Sequence, residues 1–125
     1  MTKRFVSRKH LEFVGTKACC ICGTFANIQV HHLLKPWEGV RGTGLKANDR
    51  NVIPLCMNHH HELHKRGNEE AFFEDQGLSN YFGKVHARML WHQSPYHDAY
   101  RDAYDEHLLG WAETVLKEEE HESSD

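Results

Sequence analysis

Residues 51–64, Asn-Val-Ile-Pro-Leu-Cys-Met-Asn-His-His-His-Glu-Leu-His, decide how the rest of the chain is read. Residues 51–55 read as a short strand, apolar from Val52 onward, and Pro54 suits an edge position or a strand end because it withholds a ladder donor. From about Asn58 the pattern turns helical and runs to Gly67, a residue type that ends helices. Half of the fourteen positions are Asn, Cys or His. Cys56 and His59 form a Cys-x2-His pair, while His60 and His64 stand one helical turn apart and share a face. Upstream lie a Cys-x2-Cys pair, Cys19 and Cys22, and the adjacent His31-His32. The pattern predicts two nearby metal sites, one structural and one catalytic.

Cys19 and Cys22, with Cys56 and His59, make two pairs of the same spacing. Each pair presents soft ligands from one tight turn, and two such knuckles together complete the tetrahedron of a closed structural zinc site. The run Cys-Cys-Ile-Cys-Gly at 19–23 carries the glycine such a turn uses. Cys20 is the spare thiol, since ligation through it would break the two-residue gap to Cys22.

At 125 residues and 39% hydrophobic, the chain is one domain with little apolar material for a large core, and a metal staple would offset that. No apolar run is long enough to cross a membrane, and the opening Met-Thr-Lys-Arg-Phe-Val-Ser-Arg-Lys lacks a signal peptide's apolar stretch. The expectation is a cytoplasmic protein without a membrane partner. In that reducing compartment the cysteines read as metal ligands, not disulfides. The net charge of −3 conceals an asymmetry: residues 1–66 carry eleven Lys/Arg against four Asp/Glu, and residues 67–125 carry four against fourteen. Seven of the twelve histidines sit in the basic part. That combination suits a polyanionic substrate, because phosphate contacts dominate nucleic-acid affinity. The acidic part reads as a solvated helix, a partner surface or a brake on loose DNA binding.

Around the ligands, residues 7–14 read as a short helix with Ser7 as cap and Gly15 as stop. Residues 26–32 alternate as a half-buried strand does. Residues 35–50 form a loop with three glycines, and a loop of that length in a compact domain is usually functional. The candidate DNA contacts are Lys35, Arg41, Lys46 and Arg50 on this loop, with Lys65 and Arg66 after it, and Trp37 beside them. A helix is expected from an Asn68 cap through Asp75 to Gly77, and another over 79–92, weakened by Gly83. A last one starts at Ser94-Pro95 and repeats Tyr96, Tyr100, Tyr104, Leu108, Trp111 and Val115 at helical spacing. From Lys117 the charged tail frays.

His31-His32, Asn51, His60 and His64 resemble the motif of the HNH endonucleases, the ββα-metal or His-Me finger superfamily, and the two knuckles resemble its zinc-stapled branch. More narrowly, the chain is similar to small phage and bacterial nucleases of the Ref-like recombination-enhancement type over roughly residues 7–80. That similarity rests on Lys-His-Leu-Glu-Phe-Val, Gly-Thr-Gly-Leu-Lys-Ala-Asn-Asp-Arg, Val-Ile-Pro-Leu-Cys-x2-His-His and Gly-Asn-Glu-Glu-Ala-Phe-Phe. The resemblance implies that His32 is the general base and that Asn51, or else Asp49, orients it. It implies that His60 and His64 bind a catalytic divalent cation, and that His31 occupies a position often held by an Asp or His ligand. Imidazole ligands make such a site softer than a typical magnesium site, so Mn²⁺, Ni²⁺ or Zn²⁺ are candidates beside Mg²⁺.

The fold expected is α+β: a small ββα-metal (HNH) unit with a structural zinc knuckle, flanked by additional helices. Residues 1–78 would be the nuclease domain, 79–118 a helical extension and 119–125 an acidic tail. The expected function is metal-dependent cleavage of DNA phosphodiester bonds. The rival is a non-catalytic zinc protein that binds DNA or assists recombination, with a recombinase filament or other recombination protein as partner. Oligomeric state stays open.

Overall fold

The computed structural model describes residues 4–39 and 45–97. The chain divides into two compact units, Met1–Ser94 and Pro95–Asp125, and every helix and strand with assigned bounds lies in the first. Their order is α1 (Arg8–Gly15), β1 (Ile28–His32), β2 (Val52–Cys56), α2 (Met57–Arg66), α3 (Glu69–Asp75) and α4 (Phe82–Gln93). Among the described residues this is a mixed α+β fold of four helices and one two-stranded antiparallel sheet. No helix there is long and apolar enough to cross a membrane.

The helix ends follow local chemistry. Ser7 caps α1 by accepting from the His10 N–H at 3.2 Å, and Asn68 caps α3 by accepting from the Ala71 N–H at 3.0 Å. Gly67 closes α2 in the left-handed region (φ +75°), where a side chain would be strained. Cys56, the N-cap of α2, makes no side-chain capping bond, because its sulfur faces Cys22 and His59.

The register pairs His31 with Ile53 and Gln29 with Leu55, so these four share a sheet face. Every residue of β2 is buried, as expected of a strand covered on both sides. Its alternation divides the core. Ile53 and Leu55 pack with Leu63 of α2, Phe72 and Phe73 of α3 and Ala87 of α4, whereas Val52 packs with Val14 of α1 and Leu90 of α4. Pro54 is tolerated because a two-stranded sheet has only edges, and its carbonyl accepts the Cys20 N–H at 3.0 Å, tying the knuckle to the strand.

Several boundaries move. The first strand starts at Ile28, not 26, because Asn27 turns the chain with φ 53°. The helix expected over 79–92 spans Phe82–Gln93, and it belongs to the Met1–Ser94 unit, so the boundary expected at residue 78 falls inside a compact body. Gly83 is buried, and a Cβ there would lie 2.7 and 2.9 Å from ring atoms of Phe73, so its absence lets α4 approach α3. The helix expected from Ser94-Pro95 through Val115 and the tail from Lys117 lie outside the described residues beyond His97, as does Arg41.

Candidate metal centres

Cys19, Cys22, Cys56 and His59 present ligand atoms that all lie within 4.8 Å of one another and can hold a metal ion such as zinc. The knuckle forms because the Gly23 N–H donates to the Cys19 carbonyl at 2.8 Å, while β2 and the first turn of α2 supply the other pair. The Cys22–Cys56 sulfurs are 3.9 Å apart, and His59 Nδ1 lies 3.7 Å from the Cys19 sulfur and 3.2 Å from that of Cys56. Metal bonds of ordinary zinc length place tetrahedral ligand atoms about 3.5–3.8 Å apart, so the cluster has the right size. Burial pushes the Cys19 thiol up, but backbone N–H groups of Cys56, Cys22 and Ile21 outweigh it and bring it down to about 6. The thiolate, which is the metal ligand, is therefore favoured. Burial beside the Cys19 sulfur pushes Cys20 up to about 12, consistent with a spare, unreactive thiol.

A second group, His31, His60 and His64, brings its ligand atoms within the same 4.8 Å limit. His31 and Gln29 share the sheet face that α2 crosses, and His60 and His64 share the α2 face turned to it. The ring centroid of His31 is 5.1 Å from His60 and 5.6 Å from His64. His60 Nδ1 donates to the Gln29 amide oxygen at 2.8 Å, which leaves Nε2 with its lone pair, and that nitrogen faces His64 Nε2 at 3.0 Å. Two nitrogens on one metal at ordinary bond lengths sit about 2.9–3.4 Å apart, depending on geometry. Burial, reinforced by the His31 and His64 imidazoles, lowers His60 to about 4. It is thus neutral at pH 7, the form that binds metal.

Alternation sends the adjacent His32 the other way, toward Asp49, yet both histidines line one cleft of about 330 Å³ with His60, His64, Leu45 and Lys46. His32 Nε2 donates to Asp49 Oδ1 at 2.7 Å, leaving Nδ1 free to accept a proton. Asp49 is itself buried and held by the Ser7 N–H at 2.8 Å and Arg4 at 3.3 Å. Burial alone would raise its carboxyl. The His32, Ser7 and Arg4 contacts prevail and hold it below the usual carboxylate value.

Of the two orienting candidates, the structure therefore places Asp49 on His32 and not Asn51. Asn51 is fully buried, and its amide is spent on the loop: Oδ1 accepts from the Trp37 N–H at 2.6 Å, and Nδ2 donates to the Glu38 carbonyl at 3.0 Å and to Asn48 at 2.9 Å. Arg50 is corrected too. It pairs with Glu38 at 2.6 Å, lies 4.2 Å over the Phe5 ring and keeps only 11% of its side chain exposed, so it is not the solvated loop cation that the sequence suggested. Trp37 is half-buried and donates from its indole to the Arg50 carbonyl. Lys35 pairs with Glu70 and Arg66 with Asp75 at the surface, while Lys46 and Lys65 are exposed. Arg41 lies outside the described residues.

Two site residues escaped the sequence reading. Gln29 looked like an outward polar position of a strand, and Glu69 like part of a helix start. Glu69 is 6% exposed and accepts from His31 Nε2 at 2.7 Å. The pairing of Gln29 with a helix residue thirty-one positions away had no local signal, although the strand period did place it on the His31 face.

A protein-family model described as "Protein of unknown function (DUF968)" matches residues 1–85, which hold both clusters, His32 and Asp49. Over 74 residues the chain is 40% identical to "Uncharacterized protein YdfU" of Escherichia coli (strain K12), covering 59% of this chain and 20% of YdfU. The chain thus spans about a fifth of that relative's length. No solved structure matches.

Proposed function

This chain belongs to the DUF968 family, and we propose that it is a metal-dependent DNA endonuclease of the HNH type, a ββα-metal unit stapled by zinc. The observation that carries the reading is the convergence of His31, His60 and His64 on a cleft that His32, backed by Asp49, also lines. The order β1, β2, α2, with α2 following the strand directly, supports the hairpin-and-helix unit. Cys19, Cys22, Cys56 and His59 would hold the structural zinc.

The chain's own residues divide the work. Nδ1 of His32 takes a proton from a water as its oxygen attacks the scissile phosphorus and the bond to the 3′-oxygen breaks; the departing 3′-oxygen takes a proton from solvent water, leaving 5′-phosphate and 3′-hydroxyl ends. Asp49 keeps the imidazole in the tautomer that can do this and stabilises the imidazolium that forms. A divalent cation on His31, His60 and His64 would supply charge neutralisation at the phosphate and the departing oxygen. Lys46, exposed at the cleft, and Lys65, exposed on α2, suit contact with the DNA backbone. Three imidazoles without a direct carboxylate favour Mn²⁺, Ni²⁺ or Zn²⁺ over Mg²⁺.

The test is nicking of supercoiled plasmid by the purified chain with Mg²⁺, Mn²⁺, Ni²⁺ or Zn²⁺, with and without chelator. Metal-dependent cutting that disappears in His32→Ala and His60→Ala supports the proposal. DNA binding without cutting under every metal would hand the chain to the non-catalytic zinc-module reading, and cutting that appears only with an added recombinase filament would make it a recombination enzyme with an obligatory partner.

A further inference from the structure

The geometry points to Glu69 as the positioning residue of the imidazole metal site: a carboxylate from α3 that fixes the tautomer and aim of His31 without joining the ligand set. This inference rests on the endonuclease reading of that site. Glu69 is 6% exposed, and both its oxygens are occupied. Oε1 faces His31 Nε2 at 2.7 Å and the Leu34 N–H at 3.0 Å, and Oε2 faces the Leu34 N–H at 3.1 Å and the Lys35 N–H at 3.3 Å. Those oxygens accept from two backbone N–H groups, so the ring nitrogen facing them is the donor and carries the proton. His31 Nδ1 is then the nitrogen with a lone pair for a metal.

A purely structural role explains this arrangement poorly. The helix has its cap already, because Asn68 accepts from the Ala71 N–H. Burying a carboxylate is costly unless its partners are good, and it is turned onto His31 and the strand end just beyond it. Glu69 lies outside the set of ligand atoms within 4.8 Å of one another, so it backs one member of the set. A carboxylate behind a ligating histidine orients the ring and makes it a stronger ligand, and losing such a partner typically weakens metal affinity about 10- to 100-fold. The same carboxylate also grips the backbone of Leu34 and Lys35, two and three residues after the base His32, so it links the aim of the metal site to that of the base.

The experiment uses the full chain with zinc on its thiolates. Ni²⁺ affinity is measured by calorimetry for wild type, Glu69→Gln and His60→Ala, and the His31 tautomer is read from long-range nitrogen–proton NMR at pH 8 before Ni²⁺ is added. The expected result is an Nε2–H tautomer of His31 in wild type, a mixture of tautomers in Glu69→Gln, and Ni²⁺ binding weakened 10- to 100-fold with zinc content unchanged. Wild-type affinity in Glu69→Gln, with binding abolished in His60→Ala, overturns the role of Glu69 and leaves the endonuclease reading standing. If wild type binds no second ion, that reading fails and takes this inference with it. Should Glu69→Gln fail to fold, the wild-type spectrum still decides, because an Nδ1–H tautomer of His31 overturns the proposal.

Discussion

Asp49 reaches His32 across seventeen positions of chain, and that bond decides between two side chains of which the sequence reading put Asn51 first and Asp49 second. Asn51 and Asp49 lie on the same loop, and only the closed loop shows that the Asn51 amide is consumed by Trp37, Glu38 and Asn48. Asp49→Asn should therefore slow cleavage about 100-fold or more, the range typical of a disabled general base, while both ions stay bound; single-turnover nicking beside metal analysis checks this. The cysteine and histidine clusters were legible because their short, regular spacings are those that metal coordination would impose. Glu69 and Arg50 were not, since what each touches depends on how α3 and the 35–50 loop dock. His10 makes a separate case. It is fully buried against Trp91 and Phe13, neither ring nitrogen has a hydrogen-bond partner among the described residues, and burial lowers it to about 4 despite the nearby Asp49 charge. Between pH 6.5 and 4 the unfolded chain binds the proton that the folded chain refuses. Stability from this group is thus full above about pH 6.5 and falls as the medium is acidified, by about 2 kcal/mol at pH 5. His10→Leu should shrink the gap between urea midpoints at pH 7.5 and pH 5; an unchanged gap would remove His10 from the account.

At the scale of elements, α2 serves both candidate metal groups, giving His59 to one and His60 and His64 to the other. Its 3.6-residue period was enough to put His60 and His64 on one face, whereas a strand imidazole joining them was what the HNH resemblance implied. The same period marked a helix over 79–92 but not how closely α4 would pack on α3. Gly83 reads as a weak point in a helix, since Gly costs about 1 kcal/mol against Ala in a helix interior. In the fold it is the contact point with Phe73, and Leu33 lies 3.1 Å from where a Cβ would stand. Overpacking a filled core costs about 1–3 kcal/mol, which outweighs the gain in helix propensity. Gly83→Ala is accordingly expected to destabilise the chain by about 1 kcal/mol or more in urea denaturation, and a more stable variant would show that α4 has room to shift.

Among the described residues the two core clusters are small, and Cys19 and Cys56 are themselves buried members of the larger one. Zinc binding by small domains contributes about 10–16 kcal/mol, as much as or more than the 5–15 kcal/mol by which typical domains are stable. Stripping zinc at pH 7 should hence unfold the Met1–Ser94 unit, not merely loosen the knuckle, and loss of near-ultraviolet circular dichroism on chelation, restored by added Zn²⁺, would register it. The charge asymmetry of the two halves, read from composition alone, agrees with a cleft that displays Lys46 beside four histidines. The central claim is that one ion clamps the fold while another sits among imidazoles beside the base. Crystals of the zinc-loaded chain grown with Mn²⁺, with anomalous data collected at each metal's absorption edge, test it most directly. One zinc peak is expected among Cys19, Cys22, Cys56 and His59, and a manganese peak among His31, His60 and His64. A map with density at the thiolates and none among the imidazoles would contradict it.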